Sequence, residues 1–218
     1  MQNIPLPSVN WTSGALRSMS PERLDVLKEV ANIGAGHAAT ALSLMTGARI
    51  MIDVPTVNIG QLSELVPEIA GADVPIVSVM MDMHGSLNGQ TLLALPVTTA
   101  RRLADLMLRR ERRNSDGPFN VLEESALREA GNILGGAYMT ALSDFLEMQL
   151  MPSPPRFRIA TTKEILRECD AALSDEIAVC CVETEFTFEE IGERFRGFFL
   201  LLPDSDSFTA IFRAVRLT

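Results

Sequence analysis

The sequence predicts an α+β fold made by internal duplication, with long helices packed on an antiparallel β-sheet. Three observations predict it. The chain aligns with itself at an offset of 100 residues without a gap. Each half opens on a long helical stretch. Each half then runs through alternating apolar segments joined by tight turn signals, which implies antiparallel pairing.

The repeat is clearest between LDVLKEVANIGAGHAATALS (24–43) and ESALREAGNILGGAYMTALS (124–143). Leu27, Glu29, Asn32, Ile33, Gly36, Thr40, Ala41, Leu42 and Ser43 each meet an identical residue, nine matches in twenty positions. Chance gives roughly one in sixteen for average composition.

The elements follow in the same order in both halves. In the first repeat, about 20–113, the spacing predicts a helix over 20–46, a strand around ARIMIDVPTV, and a short helix or loop near LSELVPEI. Strands near PIVSVMMDMHG and GQTLLALPV follow, with Leu87-Asn88-Gly89 as the turn between them. A helix over about 98–113 closes the half. Asn114-Ser115-Asp116-Gly117-Pro118 punctuates the chain. The second repeat, about 119–217, reads as a helix over 120–147, a strand near QLMPSPPRFRIA and a short helix near TKEILREC. Strands near DEIAVCCVETEF and RFRGFFLLL and a last helix over 204–214 complete it. Each half is small for an independent core, so one domain over 20–217 with one continuous sheet is expected, preceded by an extension over 1–19.

Composition narrows the function. Apolar residues make up 47% of the 218, as in globular chains. The net charge of -9 argues against nucleic acid, which needs clustered Lys and Arg. The first residues, MQNIPLPSVNWTSG, lack the basic start and apolar run of a signal peptide. Residues 30–48 carry no formal charge, but Asn32, His37, Thr40, Ser43 and Thr46 make them too polar for lipid, so no membrane span is expected. Cys169, Cys180 and Cys181 form no Cys-x-x-Cys pair and read as reduced cytoplasmic thiols. Only His37 and His84 could join them around zinc, so neither a metal nor another cofactor of the chain's own is expected.

On a wheel of 3.6 residues per turn, Val26, Leu27, Val30 and Ile33 fall on one side and read as the buried stripe. Asp25, Glu29 and Asn32 lie within about 60° of one another on the other side. In the second copy Ser125, Glu129 and Asn132 share a face, while Ala126, Leu127, Ala130 and Ile133 point inward. A polar outer face needs no special explanation in one helix. Asparagine is a mediocre helix former, however, because its amide competes for backbone hydrogen bonds. Packing accounts for Leu27/Leu127 and Ile33/Ile133; it does not account for Glu29/Glu129 and Asn32/Asn132, repeated where packing leaves identity free.

Three residues separate Asp25 from Glu29, two separate Glu29 from Asn32, and 22 separate Asn32 from Pro55. Ser125, Glu129, Asn132 and Pro155 repeat those spacings. This doubled pattern resembles the signature of the CheC family of chemotaxis phosphatases, and NIGAGHAATALS also looks like that family's helix. The resemblance covers roughly 20–217. It implies a pseudo-two-fold fold with one active site on each long helix, and as substrate the aspartyl phosphate of a CheY-like receiver, whose own Mg²⁺ and lysine surround the phosphoryl group. By resemblance, Asn32 and Asn132 position the attacking water, Glu29 and Glu129 pair with the receiver's lysine, Asp25 and Ser125 support them by hydrogen bonding, and Pro55 and Pro155 are structural. The motifs differ in detail, with Leu134-Gly135-Gly136 facing Gly34-Ala35-Gly36, which leaves the two sites free to be unequal.

Other readings remain beside this one. Relatives of CheC also bind CheD, a receptor deamidase, so the alternative is a non-catalytic module regulating such a partner. The resemblance extends to the flagellar switch component FliY, expected to carry a further C-terminal domain, and to CheX, with a single site per chain. Gly34-Ala35-Gly36-His37-Ala38-Ala39 fits a dinucleotide fingerprint, but that motif must follow a strand and open a helix. His84 reads as part of a hairpin, and Met80, Met81 and Met83 as strand packing. Arg101, Arg102, Arg109, Arg110, Arg112 and Arg113 read either as a solvated face ending in helix-terminal cations or as a surface steering an acidic partner.

Overall fold

Turn residues and apolar periodicity place the elements close to where the sequence predicts them. The first repeat forms α1 (Pro21–Thr46), β1 (Ile50–Gln61), β2 (Pro75–Gly85), β3 (Gly89–Pro96) and α2 (Val97–Met107). The second forms α3 (Val121–Leu146), β4 (Leu150–Pro152), β5 (Arg156–Thr161), α4 (Thr162–Ala172), β6 (Ala178–Phe188) and β7 (Glu193–Pro203). The computed structural model describes residues 21–61, 73–111, 117–172, 178–188, 192–204, 206–207 and 210–211. The extension over 1–19, the segment near LSELVPEI and most of the last helix read over 204–214 lie outside the described residues.

The described strands form one antiparallel sheet in the order β1-β6-β7-β3-β2-β4, with β5 also on β2. Hairpins β2–β3 and β6–β7 meet at the centre through β3 and β7, from Gly89 opposite Pro203 to Ala94 opposite Phe198. Each hairpin would leave an outer edge bare, and an unpaired edge is a liability. The first strand of the other repeat covers it: β1 runs along β6, and β4 and β5 run along β2. Neither repeat closes its own edge, so the sheet is continuous across the duplication.

Two departures from the sequence reading have local causes. The helix closing the first repeat stops at Met107, short of residue 113. Arg109 turns left-handed at φ 51°, and the amides of Leu108, Arg109 and Arg110 fold back onto the carbonyls of Ala104, Leu106 and Asp105. Arg109 and Arg110 therefore lie beyond the helix and are not cations in its last turn. The single strand expected over 149–160 is broken into β4 and β5 around Ser153-Pro154-Pro155.

That break belongs to the duplication. On β2, Met83 pairs with Pro152 but Met80 pairs with Arg156, so the Pro155 side carries one residue more than its partner. On β6, Glu185 pairs with Asp53 but Glu183 pairs with Thr56, so Val54 and Pro55 together oppose Thr184. Proline has no N–H for the ladder, and a bulge is where a strand tolerates it.

The long helices lie together over the sheet, and their buried faces share a core with Val79, Leu93, Leu95, Val182 and Phe199. The stripe that α1 buries differs from the expected one. Ala31, Ala35, Ala38 and Leu42 are its deepest residues, while Ile33 is 42% exposed and Val26 and Leu27 are only partly covered. Small residues occupy the interior because α1 and α3 approach closely. Where Gly34 has no side chain, Tyr138 fills the space, stacked on Phe199 with centroids 4.4 Å apart. The residues 100 positions away, Leu134 and Ala38, are both buried, so large and small exchange places between the repeats.

Candidate functional site

Each motif sits in the first half of a long helix, and three of the four helix ends show what fixes them. Asn120 caps α3: its side chain accepts from the Leu122 and Glu123 amides, and Glu123 accepts from the Asn120 amide at 2.8 Å. Such a cap contributes about 1 kcal/mol. Glu123 is buried and also pairs with Arg110 at 3.4 Å. At the far ends the repeated serine joins helix to strand. Ser43 Oγ donates to the Ala39 carbonyl and accepts the Ile50 amide at 2.9 Å, and Ser143 Oγ donates to the Met148 carbonyl. The identity of Ser43 and Ser143 is thus structural.

Glu29 and Asn32 lie on solvent-exposed positions of α1, and Glu129 is exposed on α3. Asn132 is half-buried, as is its neighbour Ile133. Among the described residues no hydrogen bond or ion pair engages the side chains of these four. Asp25 accepts from Lys28 at 3.1 Å and does not reach the Glu–Asn pair; Ser125 is exposed with no partner among the described residues. In the second copy Arg128 pairs with Glu124 at 3.4 Å beside Glu129. Both faces thus present a carboxylate and a carboxamide one turn apart, with no polar partner among the described residues.

Sequence reasoning missed the apolar flank of the first face. Ile33 is 42% and Leu44 79% exposed, and both stand beside Glu29 on the α1 wheel. The wheel angle of Ile33, about 40° from Glu29, is the signal that places it outside. At the start of α3, Val121 and Leu122 are exposed too, at 82% and 63%.

The prolines mark the strands that follow the helices. Beside Pro155, Ser153 Oγ accepts the Asp82 amide at 2.8 Å. Asp82 receives Arg156 in a two-pronged contact of 2.5 and 2.8 Å and Gln90 Nε2 at 3.0 Å. The Arg156 guanidinium holds the Asp82 carboxyl down to about 2, against the smaller opposing effect of burial.

Arg101, Arg109 and Arg110 tie α2 and the turn after it to α1, to α3 and to the segment leading into α3. Arg101 lies 4.4 Å from the Phe119 ring centroid and donates to the Gly117 carbonyl. Arg109 donates to the Met45 carbonyl at 3.2 Å. Arg112 and Arg113 fall outside the described residues. The Gly34–Ala39 segment runs inside α1 with no strand leading into it, so its glycines open no phosphate-binding turn. His84 ends β2 at the hairpin, and Met80, Met81 and Met83 are buried strand residues. Among the described residues no group of three His, Cys, Asp or Glu side chains could hold a metal, and no helix is long and apolar enough to cross a membrane.

Residues 22–59 and 122–159, which contain both motifs through their prolines, each match the CheC-like family. The CheY-P phosphatase CheC of Bacillus subtilis (strain 168) is 34% identical over 197 residues, covering 89% of this chain and 94% of that protein. The flagellar motor switch phosphatase FliY of the same organism is 28% identical over 149 residues, 67% of this chain but 38% of FliY. The crystal structure of Thermotoga maritima FliY superposes with a TM-score of 0.76 at 25% identity, covering 91% of this chain and 98% of that one.

Proposed function

The chain belongs to the CheC-like family, and on that premise we propose that it is a hydrolase that removes the aspartyl phosphate of a CheY-like receiver, using Glu29 and Asn32 on α1 and Glu129 and Asn132 on α3. One observation supports the assignment above the rest. The same Glu and Asn recur on two equivalent helices, exposed except for the half-buried Asn132, and no hydrogen bond or ion pair among the described residues engages them.

The chemistry suits those groups. Phosphoryl transfer depends mainly on positioning and electrostatics, and GTPases orient their attacking water with an uncharged side-chain amide. A carboxamide can accept from the water and donate toward the phosphoryl oxygens while carrying no charge to repel them. Asn32 and Asn132 align the water with the phosphorus–oxygen bond to the aspartate; that bond breaks as the water oxygen bonds to phosphorus, giving phosphate and free carboxylate. The Mg²⁺ and the lysine belong to the receiver substrate. Glu29 and Glu129, one turn before each asparagine, offer that lysine a carboxylate and fix the docking angle. Asn32 is the more exposed of the two asparagines.

The test follows the decay of phosphorylated receiver with catalytic amounts of wild type, Asn32→Ala, Asn132→Ala and the double variant. Acceleration by wild type that vanishes only in the double variant establishes two working helices. Loss in one single variant assigns the activity to that helix. No acceleration of any receiver overturns the reading and leaves a binding module, for which capture of a CheD-type deamidase is the check.

A further inference from the structure

The motif helices contain two glycines that the fold does not require. A Cβ added to Gly34 would collide with the Tyr138 ring, one on Gly131 with Val79, and one on Gly135 with the tip of Met81. At Gly36 and at Gly136 it meets nothing within 4 Å. Neither uses the backbone freedom of glycine, since both sit inside helices and neither has positive φ. Glycine in a helix interior is less stable than alanine, so each weakens its own helix without an internal return.

Their position gives the reason. Gly36 lies one turn beyond Asn32 on the face that carries Glu29, and Gly136 lies one turn beyond Asn132 in the same way. The Gly36 carbonyl is occupied by Thr40 Oγ1 at 2.9 Å, so what the helix presents outward at this point is a bare Cα.

We propose that Gly36 and Gly136 are positioning residues for the dephosphorylation reaction: each lets the main chain of the receiver come directly against the motif helix, one turn from the asparagine. The inference rests on the phosphatase reading. The distance of closest approach at the glycine sets how far Asn32 or Asn132 reaches into the phosphorylation site. A methyl group there holds the receiver off by about an ångström, and an error of that size in a positioned reactant is enough to cost on the order of a hundredfold in rate. The duplication places the device in both sites.

The test compares wild type with Gly36→Ala/Gly136→Ala, measuring kcat and KM on phosphorylated receiver, affinity for receiver loaded with beryllofluoride, and thermal midpoint. The expected result is a kcat/KM lower by tenfold or more, weaker receiver binding, and an unchanged or higher thermal midpoint. A merely structural role predicts the opposite, a lower midpoint accompanying the lost activity, and that result overturns the proposal. Wild-type kinetics and binding in the double variant overturn it as well. If wild type binds the loaded receiver without hydrolysing it, the catalytic reading fails, and the binding arm alone decides on the glycines. A wild type that neither binds nor hydrolyses overturns the phosphatase reading and this inference with it.

Discussion

A Cβ on Gly34 would stand 2.6 Å from Cδ1 of Tyr138, so the ring of one motif helix occupies the space of a missing side chain on the other. Gly34 is therefore committed to packing, unlike Gly36 two residues on. Gly34→Ala is expected to overpack the helix crossing at a cost of about 1–3 kcal/mol, partly offset by alanine's better helix propensity. The thermal midpoint falls by a few degrees, and less in a Tyr138→Leu background, where the ring is gone. Thermal unfolding of the two single variants and the double variant measures that coupling; additive effects would show that the ring is not what Gly34 accommodates.

The ends of the two long helices form a second comparison internal to the chain. Gly47 follows α1 at φ 71°, and Glu147, its counterpart after α3, adopts φ 54° with a side chain. Left-handed backbone costs a non-glycine residue about 1–2 kcal/mol. Glu147→Gly is expected to recover about 1 kcal/mol and raise the thermal midpoint by about 2–4 °C for a chain of this size. Gly47→Ala should lower it. A scanning calorimetry comparison checks both signs.

Much of this architecture is legible in the sequence because the duplication presents each pattern twice. The offset of 100 residues locates both helices and their outward Glu–Asn faces before any coordinates. The exchange of first strands between repeats is not legible: alternation says that Ile50–Gln61 is a strand, but nothing in it says that the partner is β6 and not β2. Ile33 falls on the outer face for another reason. Where α1 meets α3 it buries Ala31, Ala35 and Ala38, small residues that a reading led by large apolar side chains passes over, and Ile33 is turned outward. Pro55 and Pro155 stand at both bulges, but a bulge's register is a property of strand pairing and appears only with the partner strand in place.

The cluster beside Pro155 predicts a pH dependence. Arg156 holds the Asp82 carboxyl down from 3.8 to about 2, with Gln90 contributing a further hydrogen bond. A carboxyl depressed in the folded state contributes stability that is complete above its unfolded value and is lost as pH falls through the folded one. The difference in thermal midpoint between wild type and Asp82→Asn should therefore be constant above about pH 5. It should then shrink between about pH 4 and pH 2. A difference that does not change with pH would mean that the pair adds only local geometry, not charge, to the join between β2 and β5.

The asparagines permit a sharper electrostatic test than removal. Asn32→Asp/Asn132→Asp preserves shape but replaces a donor–acceptor amide by an acceptor-only anion at neutral pH. If the amide works by holding water beside a phosphoryl group, the carboxylate can still accept from the water but repels the phosphoryl oxygens and cannot donate to them. Loss of one such donor typically costs about 10²–10³ in rate, and the repulsion adds to it. The double Asp variant is thus expected to fall below the double Ala variant at low ionic strength. Salt screens the added charge and not the missing amide. Raising the ionic strength should bring the Asp variant up toward the Ala variant without restoring either to wild type. Phosphoreceiver decay across a salt series distinguishes these cases, and Asp variants that equal wild type would remove the carboxamide from the mechanism.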